Sequence, residues 1–152
     1  MSNLATNREA GYRYELMEKF EAGLVLSGAE VKAAKLGQVN LKGSYLSLRH
    51  VGKKVVCLLV GAHISLYKYA TDSAYNPLRE RELLLKKSEL NYLAGKANEA
   101  GLTLIPLRLY TKNSLVKLEF AVARGKKLFD KRESIKKREV ARDFNRLKRG
   151  KS

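Results

Sequence analysis

A strongly basic C-terminal segment limits where this chain can build a folded core. Residues 124–152 contain thirteen Lys or Arg and four Asp or Glu, a net charge of +9, so the first 123 residues carry the remaining +7 of the total of +16. A segment with so much charge and so little apolar content cannot bury enough surface to fold alone. We therefore predict one domain at residues 1–123 and a basic tail at residues 124–152 that is disordered until a partner binds it.

The composition of the whole chain narrows its class. With 152 residues, of which 45% are hydrophobic, the chain is long enough for one cored domain. Its excess of positive charge suits a polyanion such as a nucleic acid. No apolar stretch approaches the roughly 20 residues that a membrane-spanning helix needs, and the first residues lack a signal-peptide pattern. The single cysteine, Cys57, lies in an apolar run and is expected to be a buried thiol in a reducing cytoplasm.

Alternating apolar and polar residues dominate the predicted domain. This period-two pattern, typical of half-buried strands, predicts strands at residues 12–26, 39–49, 54–64, 102–111 and 115–123. Gly-bearing and polar turns separate these strands. Two glycine or proline positions inside strands predict irregularities, a bend or bulge at Gly23 and an edge or bulge at Pro106.

Two short helices interrupt the strands. Ser27 and Glu30 have the spacing of a capping box, and Gly37 stands where a helix would end. A second helix is predicted from Ser88 to Ala100, followed by Gly101. About six strands with two helices favour a mainly β fold with short α-helices, an OB-like antiparallel β-barrel with flanking helices and a basic C-terminal tail.

The sequence lacks the usual patterns of catalysis and metal binding. Neither His50 nor His63 has a carboxylate or cysteine at ligand spacing, and no phosphate-binding glycine loop or nucleophile motif occurs. We therefore expect no enzymatic activity, no metal or cofactor and no small-molecule substrate.

Basic and aromatic side chains supply candidates for RNA contact. Lys32 lies on the first predicted helix, while Arg79, Arg81 and Lys86 flank the leucine triplet at residues 83–85. They could form one phosphate-tracking face, or they could be ordinary solvated positions. Several tyrosines could stack on unpaired bases, or fill the core and surface. These are Tyr12, Tyr14, Tyr45, Tyr67, Tyr69 and Tyr75.

Several longer segments, in one order along the chain, carry a family resemblance. They are Asn7-Arg8, FEAGLVLSGAEVK at 20–32, GQVNLKGSY at 37–45, NPLRERELLLKKSE at 76–89 and GKKLFDKRE at 125–133. Nearly end to end, the chain resembles the SmpB family, which partners transfer-messenger RNA (tmRNA, or SsrA) in bacterial ribosome rescue. The resemblance implies an OB-like barrel, no enzymatic activity, and a tail that is ordered only on the ribosome.

The resemblance also implies roles for single residues. Asn7, Glu21 and Leu84 fall on family positions that support binding to the tRNA-like domain of tmRNA. Carboxylate and amide groups can bind bases or sugars, and an exposed leucine can pack on them. The alternatives are core packing for Leu84 and a strand-face ion pair for Glu21.

The tail has its own implied role. By resemblance it enters the decoding centre of a stalled ribosome. The spacing of Val140, Phe144 and Leu147 predicts a helix at residues 133–149, which is expected to form only on binding, along the empty mRNA channel. Phe129 departs from the family, because many members carry His at this position. The residues implied at the decoding centre are Gly125, Lys126, Lys127, Phe129, Asp130, Lys131 and Arg132.

Taken together, the resemblance implies an adaptor that binds tmRNA and delivers it to stalled ribosomes for trans-translation. Elongation factor Tu and alanyl-tRNA synthetase would be indirect partners, through tmRNA. The composition alone also allows a structural ribosomal protein with an rRNA-threading tail. It allows, thirdly, a cationic tail on anionic membranes, for which the apolar face of Val140, Phe144 and Leu147 is small.

Overall fold

The computed structural model describes residues 2–125, which form nine strands and three helices. The strands are β1 (Ser2–Thr6), β2 (Tyr14–Leu24), β3 (Val39–Asn40), β4 (Tyr45–Val51), β5 (Lys54–Val60), β6 (His63–Ile64), β7 (Arg81–Leu84), β8 (Leu102–Lys112) and β9 (Leu115–Gly125). The helices are α1 (Ala10–Arg13), α2 (Gly28–Lys35) and α3 (Lys87–Ala97).

Six of these strands close into an antiparallel barrel. Their order is β8, β4, β5, β7, β2 and β9, and β9 pairs with β8 to complete the ring, while β1 adds outside β8. Closure gives both sides of most barrel strands a hydrogen-bonding neighbour. The prediction of a mainly β, OB-like antiparallel barrel with short helices is confirmed.

The barrel interior is filled by leucine and phenylalanine side chains. Leu59, Leu118 and Phe120 face inward from the strands, and Leu93 of α3 joins the same cluster. A smaller apolar cluster lies on the other side of the β8–β9 hairpin and includes Ala10 of α1. Over part of its length, the β8–β9 hairpin therefore has apolar side chains packed against both of its faces.

Cys57 lies within the main cluster and is fully buried. Burial raises the pKa of its thiol to about 12, so the group stays protonated at neutral pH. The prediction of a buried structural thiol is confirmed.

Local signals in the sequence located several elements. Ser27 and Glu30 form a reciprocal capping box at the start of α2. Asn113 and Ser114 both have positive φ, 51° and 66°, in the two-residue turn between β8 and β9. That turn matches the right-handed twist of the hairpin. The bulge expected at Pro106 is present, since the β8–β9 register shifts between Pro106 and Arg108.

Other boundaries differ from the predictions. The strand predicted at 39–49 divides into β3 and β4, and that at 54–64 into β5 and β6, because Gly43 and Gly61 have φ values of 74° and 81° that break a strand. The irregularity in β2 lies between Leu16 and Glu18 and not at Gly23.

Further differences concern the ends of predicted elements and the presence of others. Lys86, and not Ser88, is the N-cap of α3, because Glu89 accepts a hydrogen bond from the Lys86 backbone N–H; the helix ends at Ala97 and not at Ala100. Strands β1 and β7 and helix α1 were not predicted, and Tyr12 and Arg13, expected to begin a strand, belong to α1. Strand β9 continues through Arg124 to Gly125, two residues into the predicted tail.

Candidate RNA-binding surface

Glu21 lies on the outer side of β2 and is held by two donors from β8. The Tyr110 hydroxyl donates to Oε2, and Lys112 Nζ is 3.5 Å from Oε1. The Tyr110 hydrogen bond, together with the charge of Lys112, outweighs partial desolvation and holds the Glu21 pKa below its ordinary value. The carboxylate is therefore ionised at neutral pH, yet its side chain remains 38% exposed. It can accept hydrogen bonds from a partner but cannot donate them.

Tyr110 is the main support of this carboxylate. Its ring is fully buried, and the Arg108 guanidinium carbon lies 4.3 Å from the ring centroid. Burial and the hydrogen bond to Glu21 raise the pKa of the Tyr110 hydroxyl, so the group remains a donor. A buried donor on a strand holds its acceptor in a defined orientation.

Strand β9 lies between Glu21 and these supports. In the register, Glu21 is opposite Glu119, and Glu119 is opposite Arg108, whose Nη2 is 3.5 Å from the Glu119 carboxylate. Arg108 and Lys112 thus offset two neighbouring carboxylates. Sequence reasoning missed the supporting residues, because it placed Lys112 in the turn, whereas Lys112 pairs with Leu115 and this register sets which residues share the outer face. The supporting residues are Arg108, Tyr110, Lys112, Lys117 and Glu119.

Leu84 shares this outer side. Strand β7 alternates, so that Leu83 is 3% exposed and Leu84 is 62% exposed. Leu84 is opposite Gly23, which is two residues from Glu21 on β2 and therefore on the same side of the sheet. A Cβ atom on Gly23 would lie 3.4 Å from Leu84 Cδ1, so the glycine leaves the space that the leucine covers. The alternative that Leu84 packs in the core is therefore wrong.

Asn7 directly follows β1, the strand that pairs with β8. Its Nδ2 donates to the Pro106 carbonyl at 2.9 Å, and its backbone N–H donates to the Leu107 carbonyl at 2.8 Å. The Asn7 side chain therefore fastens the β8 bulge beside Arg108. Its Oδ1 accepts no hydrogen bond from residues 2–125.

We call the outer surface of β1, β8, β9, β2 and β7, with Asn7, Glu21 and Leu84, the Glu21 face. These five strands are consecutive neighbours in the closed sheet. At about 4.8 Å per strand, the row measures about 19 Å along the sheet. Glu21 and Leu84 are therefore near neighbours on this side, whereas Asn7 lies three strands away from Glu21.

Arg79 and Arg81, both predicted to contact RNA, bind the buried carboxylate of Glu30. Arg81 is fully buried, with Nη2 2.6 Å from Glu30 Oε2 and Nη1 2.8 Å from the Ala62 carbonyl. Arg79 binds the other oxygen of Glu30, and its side chain is 44% exposed. The expectation that Arg81 joins a phosphate-tracking face is therefore wrong for this structure, because no part of it reaches the surface. Arg79 keeps an exposed part.

Burial by itself would raise the pKa of Glu30. Hydrogen bonds from Arg79, the Ser27 backbone N–H and Arg81 more than offset this and lower the pKa to about 2. Glu30 is therefore an anion inside the protein, and Arg81 is the cation that compensates it.

The remaining basic candidates lie at different ends of β7. Lys32 is exposed on α2, with Nζ 5.6 Å from the Tyr67 ring centroid, and belongs with Arg79 near Glu30. Lys86 is exposed at the N-cap of α3 and follows Leu84 by two residues. Of the tail candidates, Gly125 ends β9 opposite Tyr14. The others lie outside the described residues, as does the helix predicted at 133–149. They are Lys126, Lys127, Phe129, Asp130, Lys131 and Arg132.

Within residues 2–125, no group of three His, Cys, Asp or Glu side chains could hold a metal ion. None of the helices in this part of the chain is long and apolar enough to cross a bilayer.

The closed barrel, its net positive charge and the row of polar groups on one outer side define a small basic OB-like barrel, an architecture used to bind oligonucleotides. Comparison with known proteins gives the family. The family model described as SmpB protein matches residues 4–150, and the chain belongs to the SmpB family.

Two relatives show the extent of the similarity. The SsrA-binding protein of Gloeobacter violaceus is 49% identical over 146 residues, covering 96% of this chain and 93% of the relative. That of Rubrobacter xylanophilus is 48% identical over 146 residues, covering 96% and 95%. A solved structure described as "tmRNA-SmpB: a journey to the center of the bacterial ribosome" has a TM-score of 0.65 and 38% identity, covering 82% of this chain and 85% of the other.

Proposed function

We propose that this chain binds the tRNA-like domain of tmRNA through the Glu21 face and delivers the RNA to stalled ribosomes. Relatives that cover nearly the whole chain are named for binding SsrA, and a similar solved structure pairs SmpB with tmRNA and the ribosome. The chain acts by binding and not by catalysis, in the cytoplasm where ribosomes work. Elongation factor Tu and alanyl-tRNA synthetase join through tmRNA.

The observation that carries the proposal is the exposed, ionised carboxylate of Glu21. A carboxylate repels phosphate, so its RNA partner must be a hydrogen-bond donor, such as the amino and imino groups of guanine, the amino group of adenine or cytosine, or a ribose 2′-hydroxyl. Tyr110 holds the carboxylate in place before the RNA arrives, which lowers the entropic cost of the contact. Glu21 therefore contributes recognition, while basic side chains contribute general affinity.

Leu84 adds an apolar contact to the same face. It is more exposed than most leucines and lies over Gly23, beside the row that contains Glu21. A nucleobase or ribose can cover this side chain and remove it from water. Lys86, two residues further along the chain, is placed to meet a nearby phosphate.

The test replaces Glu21 and a matched carboxylate on the same strand. Glu21→Gln should weaken binding to the isolated tRNA-like domain about tenfold or more, because a charge-assisted hydrogen bond is lost. Glu15→Gln changes the charge equally at an exposed position of β2 that makes no ion pair within residues 2–125, and should have little effect. Equal affinities of the two variants, measured by filter binding, would reject Glu21 as a recognition residue.

A second comparison separates recognition from general attraction. An unrelated tRNA of similar length carries the same phosphate charge but not the same contacts. Glu21→Gln should reduce the preference for the tRNA-like domain and leave affinity for the unrelated tRNA within about twofold. Parallel losses for both RNAs would show that the variant perturbs the fold.

For the tail, we propose entry into the decoding centre and the empty mRNA channel. Gly125 ends β9, so a chain that stops there keeps the β8–β9 and β2–β9 pairings. This truncation should retain most affinity for the tRNA-like domain and abolish peptide tagging in a reconstituted translation system. Full tagging by the truncated chain would reject the role of the tail, and loss of the specific RNA complex would reject the division of roles.

A further inference from the structure

The loop between β6 and β7 presents two tyrosine rings beside basic side chains. The centroids of Tyr67 and Tyr69 are 5.3 Å apart with planes at 66°, an edge-to-face pair, and Tyr69 is 71% exposed. Lys68 Nζ lies 4.8 Å from the Tyr69 centroid, and Lys32 Nζ of α2 lies 5.6 Å from the Tyr67 centroid. We call these four residues and Arg79 the loop patch.

Partly buried hydrogen bonds of Tyr75 hold this loop to β6 and β7. The Tyr75 hydroxyl donates to the Ile64 carbonyl at 2.7 Å and accepts from Arg81 Nη2 at 3.1 Å. Within the loop, the Ala70 N–H donates to the Tyr67 carbonyl at 2.8 Å and closes a turn between the two rings. The rings are therefore presented on an anchored loop, so binding to them needs little ordering.

The charge around the rings is positive. Lys32 and Lys68 supply cations, and Arg79, which binds the buried Glu30 carboxylate, keeps an exposed part. Of the nearby carboxylates, Glu80 is bound by both Nη atoms of Arg49, and Asp72 accepts from the Ala74 N–H at 3.0 Å. An exposed ring with lysines around it suits an unpaired nucleotide, because bases stack on aromatic faces and the adjoining phosphates pair with cations.

We propose that the loop patch binds an unpaired RNA nucleotide, with the base on Tyr69 and the flanking phosphates at Lys32 and Lys68. The inference rests on the proposed RNA-binding function and adds a single-stranded segment to the partner. Arg79 lies before the first residue of β7 and Leu84 is its last residue, so the site is distinct from the Glu21 face.

The test compares two short RNAs on the full-length chain. One is a single-stranded adenosine hexamer, and the other is the same hexamer with every base removed, so that both carry the same phosphates. The dissociation constant of the abasic hexamer divided by that of the adenosine hexamer measures base stacking. The attraction of the basic tail for phosphate cancels in this ratio. Tyr69→Leu should reduce this ratio about fivefold to a hundredfold, the range for the loss of one stacked base. Tyr69→Phe should preserve it.

Tyr92 offers a matched control. It is also exposed and has Lys96 Nζ 5.8 Å from its ring centroid, but its hydroxyl binds the Glu18 carboxylate, which repels phosphate. Tyr92→Leu should leave the ratio within about twofold. An unchanged ratio in Tyr69→Leu, or an equal fall in Tyr92→Leu, overturns the assignment. Neither result bears on the tRNA-like domain, since the hexamer has no folded structure.

Discussion

Arg81 and Glu30 show how one buried ion pair organises the side of the barrel next to α2. Each is at most 1% exposed, and their partners come from α2, from the loop before β7 and from the Ala62 carbonyl. Buried charges are tolerated only when they are paired and hydrogen bonded. The pair therefore fixes the relative positions of these segments, although it need not add net stability over an apolar pair.

Removing the charge of Glu30 should destabilise the protein. In Glu30→Gln the buried Arg81 guanidinium loses its compensating anion, so we expect the free energy of unfolding to fall by about 3 kcal/mol. Urea denaturation followed by circular dichroism measures this. The control is Glu80→Gln, which removes an exposed pair with Arg49 and should cost less than about 1 kcal/mol. Similar losses in both variants would contradict the argument.

The Glu30–Arg81 pair also determines how the free energy of unfolding changes in acid. Because the folded-state pKa of Glu30 is about 2, below its ordinary value of 4.5, its ionised form stabilises the fold above pH 4.5. This contribution should disappear as the pH falls from 4.5 toward 2. The stability of Glu30→Gln should therefore converge with that of the natural chain over this range.

At the scale of elements, local patterns located most strands, because alternation and Gly-bearing turns are short-range signals. They did not predict β7, because the leucine triplet at 83–85 does not alternate with polar residues, and the inward face of β7 is set by its pairing with β2 and β5. The Glu21 face was found only in part for the same reason. Its three family positions were named by resemblance, but their supporting residues come from a register between distant strands.

The β8–β9 turn gives a prediction for an element. Ser114 has φ 66°, a conformation that costs a residue with a Cβ about 1 kcal/mol and that glycine adopts freely. Ser114→Gly should therefore raise the free energy of unfolding by about 0.5–1 kcal/mol, and Ser114→Val should lower it. Thermal unfolding of the two variants tests this. A loss of stability in the glycine variant would mean that the turn differs in solution.

For the whole molecule, charge is divided between barrel and tail. Residues 126–152 contain twelve Lys or Arg and four Asp or Glu, so truncation after Gly125 lowers the net charge from +16 to +8. General attraction to RNA should fall with it, whereas recognition by the Glu21 face should persist.

Salt dependence distinguishes these two effects. The slope of log affinity against log salt should become shallower by about one for each phosphate contact that the tail makes. At a fixed salt concentration, the ratio of affinities for the tRNA-like domain and an unrelated tRNA should stay the same or rise after truncation. A collapse of this ratio would place recognition in the tail.

Strand β9 connects the two proposed activities covalently. Glu119, at the centre of the Glu21 face, and Gly125, where the tail begins, are six residues apart on one strand that is paired on both sides. At about 3.4 Å per residue, this is a rigid spacer of about 20 Å. Gly125, where the tail begins, would therefore lie at a constant distance and direction from an RNA bound on the Glu21 face. The barrel would then set the distance between the bound RNA and the start of the tail.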